Sequence, residues 1–530
     1  MTKGTQADEP GIGYDTPDKT RRLIMLGLTL GLLLASLDQT VVGTSLPKIV
    51  GQIGGLSKFS WLFSAYMLTS TVMIPLAGKM SDRYGRKPVF LFGMGFFMLG
   101  SALSGFAQNM DQLILFRAIQ GFGGGSMMPV SMATVADLYA PTERGKVQGL
   151  LGSVFALSSI VGPFIGGYIV DNMDWRWVFF VNLPVGVVAL AVTLTKFPRI
   201  GANSSSSIDY LGISFMTGAL TSGLLITFWG GTTYPWASVE IIGLGVACVA
   251  FSILFVLTEV RAKDPVIPLS LFREPIFSFG SLAMMIMSFG LFGVIAFLPM
   301  FLQAVVGISA TYSGEVLIPL MLTAMAGSIV SGVLLKRTGY KIWLLAGPLI
   351  AASGLWMLST LNSSSSAMDA VVFLLIGGLG LGFTMANYIV AAQNVCEKKL
   401  MGTMTSSMSL FRAIGGTIGI TVLGALVNRR MISELATNLP PDAGSYLPTT
   451  DVNSLGGILL TSHAGIPEPV VEGIRLSLSN SITSVFLISA FIVLAAWVVT
   501  LFIRSVPMKS KEDYMNGTSQ SGDNKTITSK

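Results

Sequence analysis

The run Gly78-Lys-Met-Ser-Asp-Arg-Tyr-Gly-Arg-Lys87 returns 254 residues later as Gly332-Val-Leu-Leu-Lys-Arg-Thr-Gly-Tyr-Lys341, with glycine, arginine, glycine and lysine in the same places. Two more matches follow. Gly121-Phe-Gly-Gly-Gly125 recurs as Gly378-Leu-Gly-Leu-Gly382, and Gly149, Gly162 and Gly166 recur as Gly402, Gly415 and Gly419. Each copy of the first run ends an apolar block of about twenty residues, the length that crosses roughly 30 Å of hydrocarbon. Such blocks fill the chain: 52% of its 530 residues are hydrophobic and 11% charged, against about 25% charged in a soluble domain. Fourteen spans are predicted, near 22–44, 60–78, 88–107, 112–135, 147–170, 178–196, 210–229, 237–257, 277–303, 313–335, 342–361, 370–393, 402–427 and 479–503. The first copy follows span 2 and the second follows span 10. Two six-helix bundles would displace them by six spans rather than eight, so spans 7 and 8 are an insertion. The predicted fold is an all-α polytopic membrane protein of 14 transmembrane helices, two six-helix bundles plus two inserted helices. Duplicated bundles of this kind belong to carriers that rock around a central site.

The predicted divisions are a tail over 1–20, a first bundle over 21–200, the inserted pair over 201–265, a second bundle over 266–505 with a long external loop at 429–478, and a disordered tail over 506–530. The loop is read as solvated, or as carrying a short amphipathic hairpin around 452–462. An even number of spans puts both termini on one side. Of the 33 basic residues, only Lys48, Lys58, Arg176, Arg429, Arg430 and Arg475 fall in the opposite loops, and only Arg117 and Arg412 lie well inside spans. Both termini are therefore expected in the cytoplasm, with the chain in the cytoplasmic membrane. The basic residues serve topology, so no nucleic-acid partner is expected. Two cysteines and one histidine leave no metal cluster, no disulfide framework and no histidine relay. No cofactor is expected and no nucleophile stands beside a base, so the chain reads as a non-enzyme.

Charge inside the spans points to chemistry. Asp38 in span 1 and Arg117 in span 4 fall at similar depth, and a charge near mid-helix costs about 2.5–3.5 kcal/mol on insertion scales. Two readings stand: Asp38 carries a proton, tuned by desolvation against Arg117, or the two form a permanent structural ion pair. Gln120, Gly121 and Gly124 share a face with Arg117. In the loop after span 2, Gly78 and Gly85 allow a tight reversal, while Asp82, Arg83 and Arg86 sit at the depth of Asp137. That cluster is either a latch between the bundles or a topogenic loop, and the second copy carries Lys336 where the first has Asp82. Gly149, Ser158, Gly162, Pro163, Gly166 and Gly167 in span 5 predict a bent, closely packed helix. Arg412 is the second buried cation. Candidate cavity residues are Gln39, Tyr66, Gln120, Met128, Met284, Met287, Asn387 and Gln393, with Glu315 read as a snorkelling acid or a residue near the outer gate. The 28 methionines suit a deformable apolar cavity or plain packing.

These motifs, in this order, resemble those of the major facilitator superfamily, and within it the fourteen-helix drug:proton antiporters of the quaternary-ammonium and multidrug efflux type. Leu37-Asp-Gln-Thr-Val-Val-Gly-Thr-Ser-Leu-Pro47 is similar to that branch's helix 1 signature, Gly78–Lys87 to the superfamily's loop motif, Arg117-Ala-Ile-Gln-Gly121 to the helix 4 motif tied to proton coupling, and Trp175-Arg-Trp-Val-Phe-Phe-Val-Asn-Leu-Pro184 to the signature leading into helix 6. Gly149 to Gly167 resembles the antiporter motif, with Ser158 in place of its middle glycine. The resemblance covers roughly 20–505. It implies a monomer that exports lipophilic small molecules in exchange for protons by alternating access, with Asp38 and Arg117 at the coupling site. Rival readings are an exporter dedicated to one metabolite or antibiotic, an uptake symporter on the same fold, or a non-transporting membrane sensor. The scarcity of buried acids favours neutral or weakly charged hydrophobic substrates.

Overall fold

The computed structural model describes residues 16–53, 61–197, 209–231, 233–440 and 467–508, apart from some side chains within its helices. Fourteen long helices follow one another: α1 (Asp18–Ile53), α2 (Trp61–Tyr84), α3 (Arg86–Gly105), α4 (Met110–Leu138), α5 (Pro141–Asn172), α6 (Trp177–Thr195), α7 (Tyr210–Trp229), α8 (Val239–Arg261), α9 (Pro275–Ala304), α10 (Tyr312–Thr338), α11 (Lys341–Leu358), α12 (Ala367–Val395), α13 (Met401–Asn438) and α14 (Glu468–Leu501). Twelve are long and apolar enough to cross a membrane. Helix α4 carries Arg117, Gln120 and a run of glycines, which lower its hydropathy. Several helix starts are set locally. Asn109, Asp209, Ser238 and Ser366 each accept a backbone N–H in the first turn of α4, α7, α8 and α12, satisfying groups that have no partner within the helix.

The repeat is visible in the packing. In the first half α1 packs on α5, α2 and α3 on α4, and α1 on α6; in the second, α9 packs on α13, α10 and α11 on α12, and α9 on α14. Gly85 and Gly339, equivalent in the two copies, turn the chain between α2 and α3 and between α10 and α11 at φ of 93° and 69°, a region that a side chain disfavours. A Cβ on Gly121 would strike the backbone of Tyr66, and one on Gly378 that of Leu320. Tyr66 and Leu320 are themselves one repeat apart, so the duplicated glycines hold duplicated helix crossings.

The helices α7 and α8 pair with each other, and α7 touches α2 and α13. Trp229 of α7 meets Trp61 edge-on at 5.4 Å, and Lys79 of α2 forms an ion pair with Asp264 after α8. Only 6% of the apolar stretch of α8 is buried; apart from Ile241, most of its Val, Ile and Leu side chains face outward, as hydrocarbon allows and water does not. The connection expected over 429–478 is shorter than that. Arg429 and Arg430 continue α13, and α14 begins at Glu468 because Pro467 and Pro469 stand before and in its first turn, where a missing N–H costs nothing. The hairpin expected around 452–462 and the outer parts of both tails lie outside the described residues.

Candidate functional site: a buried acid network, a seam and a cavity

Asp38 and Arg117 form a buried ion pair, with side chains 0% exposed. The carboxylate also accepts from Gln120 Nε2 at 2.8 Å and from Asn182 Nδ2 at 3.0 Å. Arg117 Nη1 donates to Gln120 Oε1 at 2.7 Å, and its guanidinium lies 4.5 Å from the centre of the Tyr66 ring, a cation–π contact. Gln39 lies beside Tyr66. Asn182 in turn donates to Ser101 Oγ at 3.0 Å. Asn182 and Ser101 are absent from the predicted site. The only signal was Asn182's place in the run before helix 6, and nothing in one sequence shows that this amide crosses to α1. Gln39, Tyr66 and Gln120, expected in the cavity, belong to this network instead. The α4 face that links it to the rest of the site runs Arg117, Gly121, Gly124, Met128, which puts Met128 about 16 Å along the helix from Arg117.

Around α1 and α5, Ser158 takes the place of a glycine and uses its hydroxyl, 2.6 Å from Ser36 Oγ, while its carbonyl accepts from Thr40 Oγ1 at 3.1 Å. A Cβ on Gly162 would lie 1.9 Å from Thr40 Oγ1. Gly149 packs its backbone against Ser328 and Gly166 is buried in α5. The surroundings of Pro163 and Gly167 lie outside what is described.

The halves meet at two seams, α2 with α13 and α10 with α5. At the first, Asp82 accepts from Gly402 N at 2.8 Å, Thr403 N at 2.6 Å and Thr403 Oγ1 at 2.8 Å. It caps the N-terminus of α13, where the helix dipole favours an anion. Arg86 bridges Asp82 at 2.6 Å and Asp137 at 2.8 Å. Gly78 and Gly402 lie so close that a Cβ on Gly78 would come within 2.7 Å of the Gly402 carbonyl. Arg83 stands apart from this cluster, with its guanidinium 5.2 Å from the Tyr84 ring. Burial, joined by the negative charges of Asp82 and Glu397, pushes the nearby Cys396 thiol up to about 12. At the second seam Lys336, the counterpart of Asp82, is exposed. There a Cβ on Gly332 would come 2.3 Å from Lys146 N.

Between the halves lies a cavity of about 230 Å³, lined by α4, α5, α9, α10, α12 and α13. Six methionines face it, Met128, Met132, Met284, Met321, Met325 and Met385, together with Gln148, Ser288, Ser328 and Arg412. Met128 and Met284 are thus where the sequence reading puts them. Met287 instead packs in the core of the second half. Asn387 donates to Ser331 Oγ at 3.0 Å, and Gln393 spans the seam to Gln148 at 3.1 Å and to Thr405 at 3.1 Å. Both amides tie helices together and neither lines the cavity. Glu315 is exposed at the head of α10.

A fold of two repeated helical halves with a charged loop at one seam and an apolar chamber between them is that of a carrier. The family model described as Major Facilitator Superfamily matches residues 28–209 and 210–420, and the chain belongs to that superfamily. Among relatives, it is 38% identical over 511 residues to the multidrug transporter protein MdtP of Bacillus subtilis (strain 168), covering 93% of this chain and 94% of that one. It is 34% identical over 493 residues to multidrug resistance protein 3 of the same organism, covering 92% and 96%. Its fold matches the proton:xylose symporter XylE (TM-score 0.61, 13% identity, 94% of this chain and 99% of that one) and the human organic anion transporter MFSD10 (0.59, 14%, 89% and 99%).

Proposed function

We propose that this protein exports lipophilic small molecules, drugs among them, across the cytoplasmic membrane in exchange for protons, with both termini in the cytoplasm. The single observation that carries the coupling is a carboxylate with no exposure, Asp38, held by one cation and two amides in the half of the molecule opposite Arg412. When Asp38 is protonated, its pair with Arg117 weakens and the Gln120 and Asn182 amides lose an ionic acceptor; α1, α4 and α6 then change their mutual fit. One charge crossing 100 mV yields about 2.3 kcal/mol; at 1.4 kcal/mol per decade, one proton per neutral molecule sustains roughly a fortyfold gradient. The multidrug names of the relatives support the export reading.

In this reading residues 21–200 and 266–505 are the rocking bundles, the helices of 201–265 flank one seam, and the Asp82–Arg86–Asp137 cluster latches the cytoplasmic side. Asp137 and Asp82, one on each flank of Arg86, hold the guanidinium in place while Asp82 reaches across to α13. Asp38→Asn keeps the shape and two of the hydrogen bonds but removes the titrating group. It is expected to abolish substrate-induced proton release in detergent while leaving protein folded in the membrane. Unchanged proton release from that variant would end the assignment.

A further inference from the structure

Arg117 and Arg412, the arginines well inside the spans of α4 and α13, are answered differently. Arg117 has a carboxylate, an amide and an aromatic face. Arg412, part of the cavity wall, has one hydrogen bond, from Nη2 to the thioether sulfur of Met128 at 3.3 Å, and its buried Nε has no partner among the described residues. No Asp or Glu lines the cavity; Arg412 is its one charged lining residue among those described. A thioether is a weak acceptor, and a cation withdrawn from water without an anion is costly. The hydroxyls of Ser288 and Ser328, also in the lining, are buried without partners, as is Gln148 Oε1. The polar inventory of the chamber is one guanidinium, two hydroxyls and one amide oxygen, set in a wall of methionines.

We propose that this cavity selects amphipathic anions: a compact apolar body seated among the methionines and a carboxylate, phenolate or similar oxyanion on Arg412, with Gln148 Oε1 accepting from a donor on substrates that carry one. The inference rests on the export reading for the direction of transport and on the cavity alone for the sign of the charge. Arginine suits such a head group because its planar donors match paired oxygens, and methionine suits bodies of varied shape because its side chain bends without cost in polarity. It also sets the electrical balance: one monoanion leaving against one proton entering carries two charges across the membrane, whereas a monovalent cation against one proton carries none.

The test uses the full-length protein in nanodiscs, without any gradient, and two probes with the same aromatic body and opposite charge, 1-naphthoate and 1-naphthylmethylammonium. Empty nanodiscs supply the partition blank. Naphthoate is expected to bind more tightly by about tenfold or more, the yield of one charge-assisted hydrogen bond to a buried group. Arg412→Gln should erase that ratio and Arg412→Lys should keep part of it. Preference for the ammonium in the unsubstituted protein, or an unchanged ratio in Arg412→Gln, overturns the proposal. If the variants do not fold, the ratio in the unsubstituted protein decides. Proton release on adding the preferred probe reports separately on export: its absence with naphthoate preferred counts against the coupling alone, and its presence with the ammonium preferred counts against the anion site alone.

Discussion

At the α2–α13 seam a buried carboxylate caps the facing helix and an arginine ties it to a second acid. At the equivalent α5–α10 seam there is no such group among the described residues; backbone meets backbone at Gly145 and Gly332, with Asn387 and Gln393 holding their neighbours. The register differs too. Gly78 faces Gly402, so the repeat would pair Gly332 with Gly149, yet Gly332 meets Gly145, one turn away, and Gly149 meets Ser328. The first seam is further flanked by α7 and by the Lys79–Asp264 pair. Duplication supplied the same crossing twice; one copy is held by a buried charge cluster and the other by close backbone packing.

The largest test of that difference is Asp82→Asn against Lys336→Gln. Removing one member of the buried cluster costs about 3 kcal/mol, more than a hundredfold in closure, and should collapse export from proteoliposomes. Substitution of exposed Lys336 should change the rate by no more than about twofold. Equal losses would show that both seams are latched. A smaller effect separates the glycines. Gly332→Ala drives its methyl to 2.3 Å from the Lys146 backbone nitrogen, whereas Gly78→Ala, once the Ser406 hydroxyl turns aside, meets the Gly402 carbonyl at the looser distance of 2.7 Å. Melting in detergent should fall for both, by about 1–3 kcal/mol for Gly332→Ala and by less for Gly78→Ala; the reverse order would place the tighter contact at the latch. The smallest effect is read at Cys396 in a Cys248→Ser background. Its thiol lies above the usual range, so at pH 8 little thiolate is present to react. Asp82→Asn removes one of the charges that raise it and should speed maleimide labelling by about threefold, half a pKa unit. Unchanged labelling would detach Cys396 from the seam.

Much of the architecture was legible because a membrane simplifies the rules. Spans must be apolar and of fixed length, so fourteen helices could be placed from hydropathy, and the repeated loop showed which of them correspond. The ends were less legible. Residues Asn428 to Asn438 of α13 are too polar to read as a span, yet they continue its helix because Met431 and Leu435 remain buried against the second half. Among the candidate residues, charges were legible as charges: Asp38 and Arg117 meet, and so do Asp82, Arg86 and Asp137. Neutral polar residues were not. Gln120 and Tyr66 look like cavity residues and join the acid network, while Asn387 and Gln393 bond between helices; an amide or hydroxyl is affordable in several places, so its type fixes no address.

The sequence by itself determined the count of long helices, the duplication and the short roster of groups that must be answered inside the molecule, since each buried charge carries an insertion cost that its neighbours in the chain cannot meet. Tertiary structure decided the partners. Asn182 reaches Asp38 across 144 positions and Asp82 reaches Thr403 across 321, and such contacts follow from where α6 and α13 pack, not from any local pattern. It also decided that Arg412, the same residue type as Arg117, faces a chamber with no acid among its described lining residues. The cost of burying a charge is written in the residue; what meets that cost depends on which helix lies opposite.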